Sequence, residues 1–137
     1  MSKYVDRFIQ EYSQAHTQKD VERIASFYLL PTVILSGQTK TISNNQSEVE
    51  ATISRLINAF NNDGIEKYVA RTNQTIYLSD TLIIINFIWQ FWNNQEQLCF
   101  ECAATYTLKK MDNEELKIIA AVLNGEEALT NFLKSKG

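Results

Sequence analysis

Residues 82–92 read Leu-Ile-Ile-Ile-Asn-Phe-Ile-Trp-Gln-Phe-Trp, which is the longest apolar stretch of the chain. It holds 11 residues and is interrupted by Asn86 and Gln90, whereas a helix that crosses a bilayer needs about 20 apolar residues. Its β-branched and aromatic residues, with aromatic rings recurring at odd positions, are typical of a buried strand. The stretch therefore predicts a strand, and it gives no indication of a membrane span.

The segments on both sides of this stretch continue the two-residue period. We predict four consecutive strands after Gly64, over 65–78, 82–92, 98–109 and 116–123. The breaks between them are short and rich in Asp and Asn, which tolerate turn conformations. A meander of antiparallel hairpins is the simplest topology for such a series.

Before Gly64 the apolar residues recur every three or four positions, which indicates helices. We predict a helix over 4–17, a second one capped by Asp20 and stopped by Pro31, and a third that begins in a capping box at 47–50. A short strand over 32–36, ended by Gly37, pairs back on 39–42, and a terminal helix covers 126–134. Helices followed by a long curved sheet define an α+β domain.

Composition limits the class of protein. The chain has 137 residues, of which 45% are hydrophobic and 21% charged, as expected of one globular domain spanning residues 1–137. Thirteen basic residues against sixteen acidic ones give a formal net charge of −3, which argues against nonspecific nucleic-acid binding. Residues 1–10 lack the apolar core of a secretory signal, so we expect a cytoplasmic protein.

The link between the first two helices carries a resemblance to a known family. Residues 15–21 read Ala-His-Thr-Gln-Lys-Asp-Val and are followed by Ile24, Phe27 and Tyr28. Together with the order of elements, this resembles the nuclear transport factor 2-like superfamily of cystatin-like folds, which includes SnoaL-like cyclases and ketosteroid isomerase. The resemblance covers essentially the whole chain. It implies N-terminal helices packed in the concave face of a strongly curved, mostly antiparallel sheet, a cone-shaped α+β barrel around a pocket.

The catalytic residues of the enzymes in this superfamily do not all carry over. Ketosteroid isomerase uses an aspartate base, a tyrosine and a protonated aspartate. Tyr12 is a plausible match for the tyrosine, whereas strand parity places Leu35 and Ala104 at the two aspartate positions. A shift of one residue would bring in Ile34 and Thr105, which are not acids either. Aliphatic side chains cannot transfer protons, so we expect a domain that is not an enzyme of this type and uses no cofactor.

We therefore predict a pocket that binds a small hydrophobic molecule, in a SnoaL-like domain. The residues expected to line it are Tyr12, His16, Tyr28, Leu35, Trp89, Ala104 and Tyr106. One alternative is an isomerase, cyclase or dehydratase that uses His16 and Tyr12 as proton carriers, since both lie on one helix face. Another is a purely structural partner domain whose cone is filled by its own side chains.

The outer face of the predicted sheet is unusually apolar. On the strand over 82–92 the even positions carry Leu82, Ile84, Ile88 and Trp92 beside two amides. Large exposed apolar patches tend to mark interfaces. We therefore expect a homodimer through this face, with a C-terminal segment folded over it as the alternative.

Cys99 and Cys102 form a C-x-x-C spacing within a predicted strand. Residues three apart on a strand point to opposite faces, so the two sulfur atoms diverge. A structural zinc site also needs four ligands, and the chain has two Cys and one His. We expect free thiols and no metal.

Overall fold

The computed structural model describes residues 3–36 and 40–136. The helices are α1 (Lys3–Thr17), α2 (Val21–Ser26), α3 (Gln46–Asn62) and α4 (Gly125–Lys136), and the strands are β1 (Tyr28–Leu35), β2 (Lys40–Ser43), β3 (Ile65–Tyr77), β4 (Leu82–Asn93), β5 (Leu98–Lys110) and β6 (Leu116–Leu123). Gly37 and Thr39, which the sequence assigns to a strand end and a strand start, lie outside the described residues. None of these helices combines the length and the apolar character needed to cross a membrane.

The strands form one mixed sheet in the order β2-β1-β6-β5-β4-β3. Strands β3 to β6 are the predicted antiparallel meander, and β1 joins it parallel to β6 while pairing with β2 on its other side. Register shifts interrupt the β3–β4, β4–β5 and β5–β6 pairs. Such bulges bend and twist strands, which accounts for the curvature of the sheet. The prediction of an α+β fold with a curved, mostly antiparallel sheet is confirmed.

The two faces of the sheet divide as the sequence predicts. On β4 the odd positions Ile83, Ile85, Phe87, Trp89 and Phe91 are buried, and the even positions are only half-buried. On β5 the even positions from Cys102 to Leu108 are buried in the same way. The buried faces meet α1 and α3, and together they form the hydrophobic core inside the curve of the sheet.

The N-cap of helix α3 is Asn45, two residues before Ser47, the predicted cap. The Asn45 side chain accepts the backbone N–H of Glu48, in the first turn of the helix, at 3.0 Å. The Glu48 carboxylate in turn accepts from the backbone N–H of Asn44 at 2.6 Å. At the other end Gly64 follows the C-cap with a φ of +83°, which glycine adopts without strain. The prediction for the end of the helix is confirmed.

Helix α2 is shorter than predicted, because Tyr28 leaves the helix and starts β1. The Phe27 carbonyl accepts the backbone N–H of Ile118 at 2.8 Å, and Tyr28 pairs in register with the same residue. Pairing with β6 therefore ends the helix before Pro31 is reached. The local apolar period continues through Tyr28, so the sequence alone extends the helix too far.

Helix α4 packs on the concave side of the sheet. The ring of Phe132 stacks on Phe100 with centroids 5.2 Å apart, and Leu129 is buried. Phe100 in turn stacks on Phe91, which belongs to the inner face of β4. The alternative in which the C-terminal segment covers the outer face is therefore wrong, and that face carries no helix within the described chain.

The position of the α3 cap can be tested with two alanine variants. We expect Asn45→Ala to lower the free energy of unfolding by about 1 kcal/mol, since the N–H of Glu48 loses its acceptor. Ser47→Ala should change it by less than about 0.5 kcal/mol, as is usual for exposed sites. Urea unfolding followed by circular dichroism measures both. A larger loss for Ser47→Ala would contradict the assignment.

Candidate ligand-binding site

A cavity of about 50 Å³ lies inside the cone, between α1, α3 and the inner faces of β3, β4 and β5. Its wall is mainly aromatic and aliphatic. The aromatic rings are those of Tyr12, Tyr28, Phe60, Tyr68, Trp89, Phe91 and Tyr106. Among the residues of the described chain that line it, none is Asp, Glu, Lys or Arg. The wall is therefore mainly apolar and uncharged, with a few polar side chains set among the rings.

Six of the seven residues predicted to line a pocket do surround this cavity. They come from α1, β1, β4 and β5 and are Tyr12, His16, Tyr28, Trp89, Ala104 and Tyr106. The long-range pairing of the strands brings them together: Trp89 lies opposite Cys102, and Ala104 lies opposite Phe87. That these residues bind a ligand stays a prediction.

Leu35, the seventh residue, does not line the cavity. It pairs with Val122, whose side chain is 49% exposed, so both belong to the outer face. The inward position is Ile34, which is 5% exposed. Val33, Ile34 and Leu35 are all apolar, so the sequence cannot tell which face of β1 is buried. The inward residue of β1 is thus aliphatic in either case. Ala104 points inward as predicted.

The tyrosines of the cavity wall are hydrogen-bonded to one another. The hydroxyl groups of Tyr12 and Tyr28 lie 2.7 Å apart, and the indole N–H of Trp89 donates to the Tyr106 hydroxyl at 3.2 Å. Burial raises the pKa of Tyr28 to about 12 and raises the pKa of Tyr12 and of Tyr106 well above 10. All three phenols therefore stay protonated at neutral pH and serve as hydrogen-bonding groups.

His16 lies in the last turn of α1, with its ring 4.7 Å from that of Tyr12 and 4.9 Å from that of Trp89 between centroids. Its Nε2 atom is buried and has no hydrogen-bond partner among the described residues. Burial lowers the pKa of the imidazole to about 3. His16 is therefore neutral at physiological pH, and one of its nitrogen atoms is free to pair with a ligand.

Tyr68 is one of the lining residues that sequence reasoning missed. Its hydroxyl is also buried without a partner among the described residues, and its ring centroid lies 5.9 Å from that of His16. Strand parity counted from the buried Ile65 places Tyr68 on the wrong face, but a register shift between Ile65 and Lys67 turns it inward. The backbone of Tyr68 is tied to α1, because the Thr17 hydroxyl donates to its carbonyl at 2.8 Å and accepts its N–H at 3.1 Å.

The two cysteines are free thiols. Cys102 lines the cavity, and burial raises its pKa to about 12, so its thiol is protonated at neutral pH and is a poor nucleophile. Cys99 is half-buried and its sulfur approaches the carbonyl of Gln97, at 3.8 Å. Within residues 3–36 and 40–136, no three His, Cys, Asp or Glu side chains are grouped so as to hold a metal ion.

Helices enclosed by a curved mixed sheet, with a cavity between them, define the cone-shaped cystatin-like fold, and solved structures of this fold match the chain. An NTF-2 like protein of unknown function from Shewanella oneidensis superposes with a TM-score of 0.69 at 10% identity, over 88% of this chain and 96% of that one. Aln2 from a Streptomyces species gives 0.71 at 14% identity, over 93% and 92%. A ketosteroid isomerase-like protein from Erwinia carotovora atroseptica gives 0.66 at 9% identity, over 87% and 91%.

The family is shown by sequence as well. The model of the family described as "NTF2-like protein (DUF6841)" matches residues 1–126, and the chain belongs to this family. The resemblance to the nuclear transport factor 2-like superfamily is thereby confirmed. A comparison with curated protein sequences finds no match. At identities of 9 to 14% the solved structures establish the fold and do not transfer chemistry.

The buried neutral state of His16 predicts a specific loss of stability in acid. An unfolded histidine has a pKa of about 6.5, whereas in the folded chain its pKa is about 3. Between these values the unfolded state binds the extra proton, so the free energy of unfolding falls as the pH falls below about 6.5. We expect the wild type to lose up to about 2 kcal/mol between about pH 7.5 and 5 relative to His16→Gln.

Urea unfolding of both proteins at several pH values measures this difference. The carboxylates are common to the two proteins, so their titration cancels in the comparison. Parallel pH profiles for the wild type and His16→Gln would show that the imidazole is not desolvated in the folded state.

Proposed function

We propose that this domain binds a small, uncharged, mainly apolar molecule in the cavity of its cone. The observation that carries the proposal is that two residues of a mainly apolar cavity wall, His16 and Tyr68, each hold a buried polar atom without a partner among the described residues, the Nε2 atom and the hydroxyl. A buried polar group left unpaired costs about 1–3 kcal/mol. A ligand that pairs with these atoms would recover that free energy.

The cavity volume restricts the size of the ligand. An apolar cavity of about 150 Å³ holds one benzene molecule, and this cavity measures about 50 Å³. In the observed arrangement it accommodates a molecule of only a few heavy atoms, and a steroid would require the helices to move. A cone filled by its own side chains, used only structurally, also has a small cavity, but it gives no reason for two orphaned polar atoms.

Proton-transfer catalysis by His16 and Tyr12 is the weaker alternative. Both side chains line the cavity, as an isomerase, cyclase or dehydratase would require. General acids and bases work best with a pKa near the working pH. Burial moves the pKa of His16 down to about 3 and that of Tyr12 well above 10, and the Tyr12 hydroxyl is engaged by Tyr28. These properties favour binding over catalysis.

Binding can be measured with probes small enough for the cavity. We expect xenon and 2-propanol to cause saturable shifts of the Trp89 indole resonance in NMR spectra and to raise the melting temperature. Ala104→Val, which adds volume at the cavity wall, should abolish both effects while leaving the fold intact. Wild-type protein that shows no saturable response to either probe would refute the proposed function.

The proposal includes a homodimer through the outer face of the sheet. Ile84, Ile88 and Ala103 are half-buried there, beside Val122, which is 49% exposed. Hydrogen-bonded polar pairs lie among them, since Asn86 donates to Thr105 at 3.0 Å. Apolar strips alternating with satisfied polar groups suit a two-fold interface, in which the same patch serves both copies.

The oligomeric state tests this part of the proposal. We expect the wild type to sediment as a dimer and Ile88→Lys to sediment as a monomer, because a buried lysine without a partner is costly. Gln10→Lys adds the same charge at an exposed position of α1 and should remain dimeric. A wild type that is monomeric at micromolar concentration would refute the dimer without affecting the ligand site.

We propose that the domain acts in the cytoplasm. Cys99 and Cys102 are free thiols, and the cytosol keeps such thiols reduced. The formal net charge of −3 supports a partner that is not a nucleic acid.

A further inference from the structure

We infer that the ligand of the cone carries a single hydroxyl group, which pairs with His16 Nε2 and the Tyr68 hydroxyl at one end of the cavity. The inference rests on the proposed function and specifies the chemistry of the molecule that is bound. The evidence for it is that some polar atoms of the cavity wall are already hydrogen-bonded to other side chains and others are not.

Most polar side-chain atoms of the tyrosine and tryptophan residues in the wall are satisfied internally. Tyr12 and Tyr28 bond to each other, and Trp89 bonds to Tyr106. His16 and Tyr68 both line this cavity, and the buried His16 Nε2 and Tyr68 hydroxyl have no partner among the described residues. The two unsatisfied atoms therefore belong to neighbouring side chains of the wall, and the rings of Phe60 and Phe91 beside Tyr68 make the adjoining wall apolar.

These two side chains are held in place by the fold. His16 belongs to α1 and Tyr68 to β3, and their ring centroids lie 5.9 Å apart. Thr17, the residue after His16, makes two hydrogen bonds to the backbone of Tyr68, at 2.8 and 3.1 Å. Because the two elements are tied together at this point, the His16 and Tyr68 side chains are held as neighbours in the cavity wall.

A hydroxyl group fits this pair better than other uncharged polar groups. The nitrogen atom of a neutral imidazole either donates or accepts, depending on the tautomer, and a phenol does both. A ligand hydroxyl donates one hydrogen bond and accepts up to two, so it satisfies both atoms in either tautomer. A ketone or an ether only accepts hydrogen bonds. It therefore leaves the imidazole nitrogen unpaired in the tautomer in which that nitrogen is itself an acceptor.

A charged ligand does not fit the same cavity. Among the described residues that line it there is no Lys or Arg to pair with an anion and no Asp or Glu to pair with a cation. Burial lowers the pKa of His16 and keeps its imidazole uncharged at neutral pH. Moving an unpaired ion into such surroundings is far costlier than burying a hydroxyl. Small carboxylates and amines are therefore excluded as ligands.

The experiment compares four probes of similar size on the intact protein by NMR titration: xenon, 2-propanol, acetone and acetate. We expect 2-propanol to bind at least about fivefold tighter than acetone, the difference that one hydrogen bond makes, and acetate not to bind. Tyr68→Phe should lose this preference for 2-propanol and keep its affinity for xenon. Its melting temperature should rise, because an unpaired buried hydroxyl has been removed.

Tyr77→Phe is the matched control. It makes the same chemical change on the same strand, at a side chain that is 47% exposed, and should alter neither binding nor stability. A rise in stability together with a loss of selective binding is not expected of a tyrosine that serves only to support the fold.

The outcomes separate the inference from the proposed function. If xenon binds and the wild type binds 2-propanol and acetone equally, the hydroxyl assignment is overturned and the cavity remains a binding site. Acetate binding as tightly as 2-propanol would overturn the assignment of an uncharged ligand. A lower melting temperature for Tyr68→Phe would mean that its hydroxyl is paired in solution, which also overturns the inference. Failure of every probe to bind overturns the proposed function itself.

Discussion

The interior of this domain is packed around the ring of Tyr12. It is almost fully buried, and its centroid lies between 4.7 and 6.4 Å from the rings of Phe8, His16, Phe27, Tyr28, Trp89 and Tyr106. These residues belong to α1, to the junction of α2 and β1, and to β4 and β5. Aromatic rings in edge-to-face contact pack densely and fill most of the concave side. The curve of the sheet is thus filled by rings, and only a small cavity is left between them.

This packing also determines the chemistry of the cavity. Desolvation by the surrounding rings opposes charge, so the pKa of His16 falls and that of each buried tyrosine rises. Neutral polar groups in such surroundings stabilise a structure only when they are hydrogen-bonded. The Tyr12–Tyr28 and Trp89–Tyr106 pairs meet this condition, whereas His16 Nε2 and the Tyr68 hydroxyl do not within the described chain. The cost of leaving these two atoms unpaired is the physical basis for treating the cavity as a binding site.

Periodicity is enough to predict the parts of the fold in which one face is clearly more apolar than the other. Burial alternates along β4 from Ile83 to Phe91 and along β5 from Cys102 to Leu108, and for this reason Trp89, Ala104 and Tyr106 could be placed inside the cone from the sequence. Parity fails where both faces are apolar, as at Ile34 and Leu35, and where a register shift reverses it, as before Tyr68. The end of α2 depends on pairing with β6, which lies far along the chain and leaves no local signal. The features predicted wrongly are therefore those that depend on pairing between strands distant in sequence.

The location of the polar groups distinguishes this cone from the enzymes that its sequence resembles. The resemblance implies that the carboxylates of ketosteroid isomerase lie on the first strand and on the third long strand. Here the inward residues at those places are Ile34 and Ala104, which are aliphatic and buried. Among the described residues that line the cavity, the buried unpaired polar atoms belong instead to His16 of α1 and Tyr68 of β3, beside the junction made by Thr17. A fold of this kind can therefore keep its pocket while uncharged side chains take the place of the catalytic carboxylates. The strands set the shape of the cavity, and individual inward side chains set its chemistry. In this chain the uncharged cavity wall supports our proposal that the site holds a neutral molecule by hydrogen bonds rather than moving its protons.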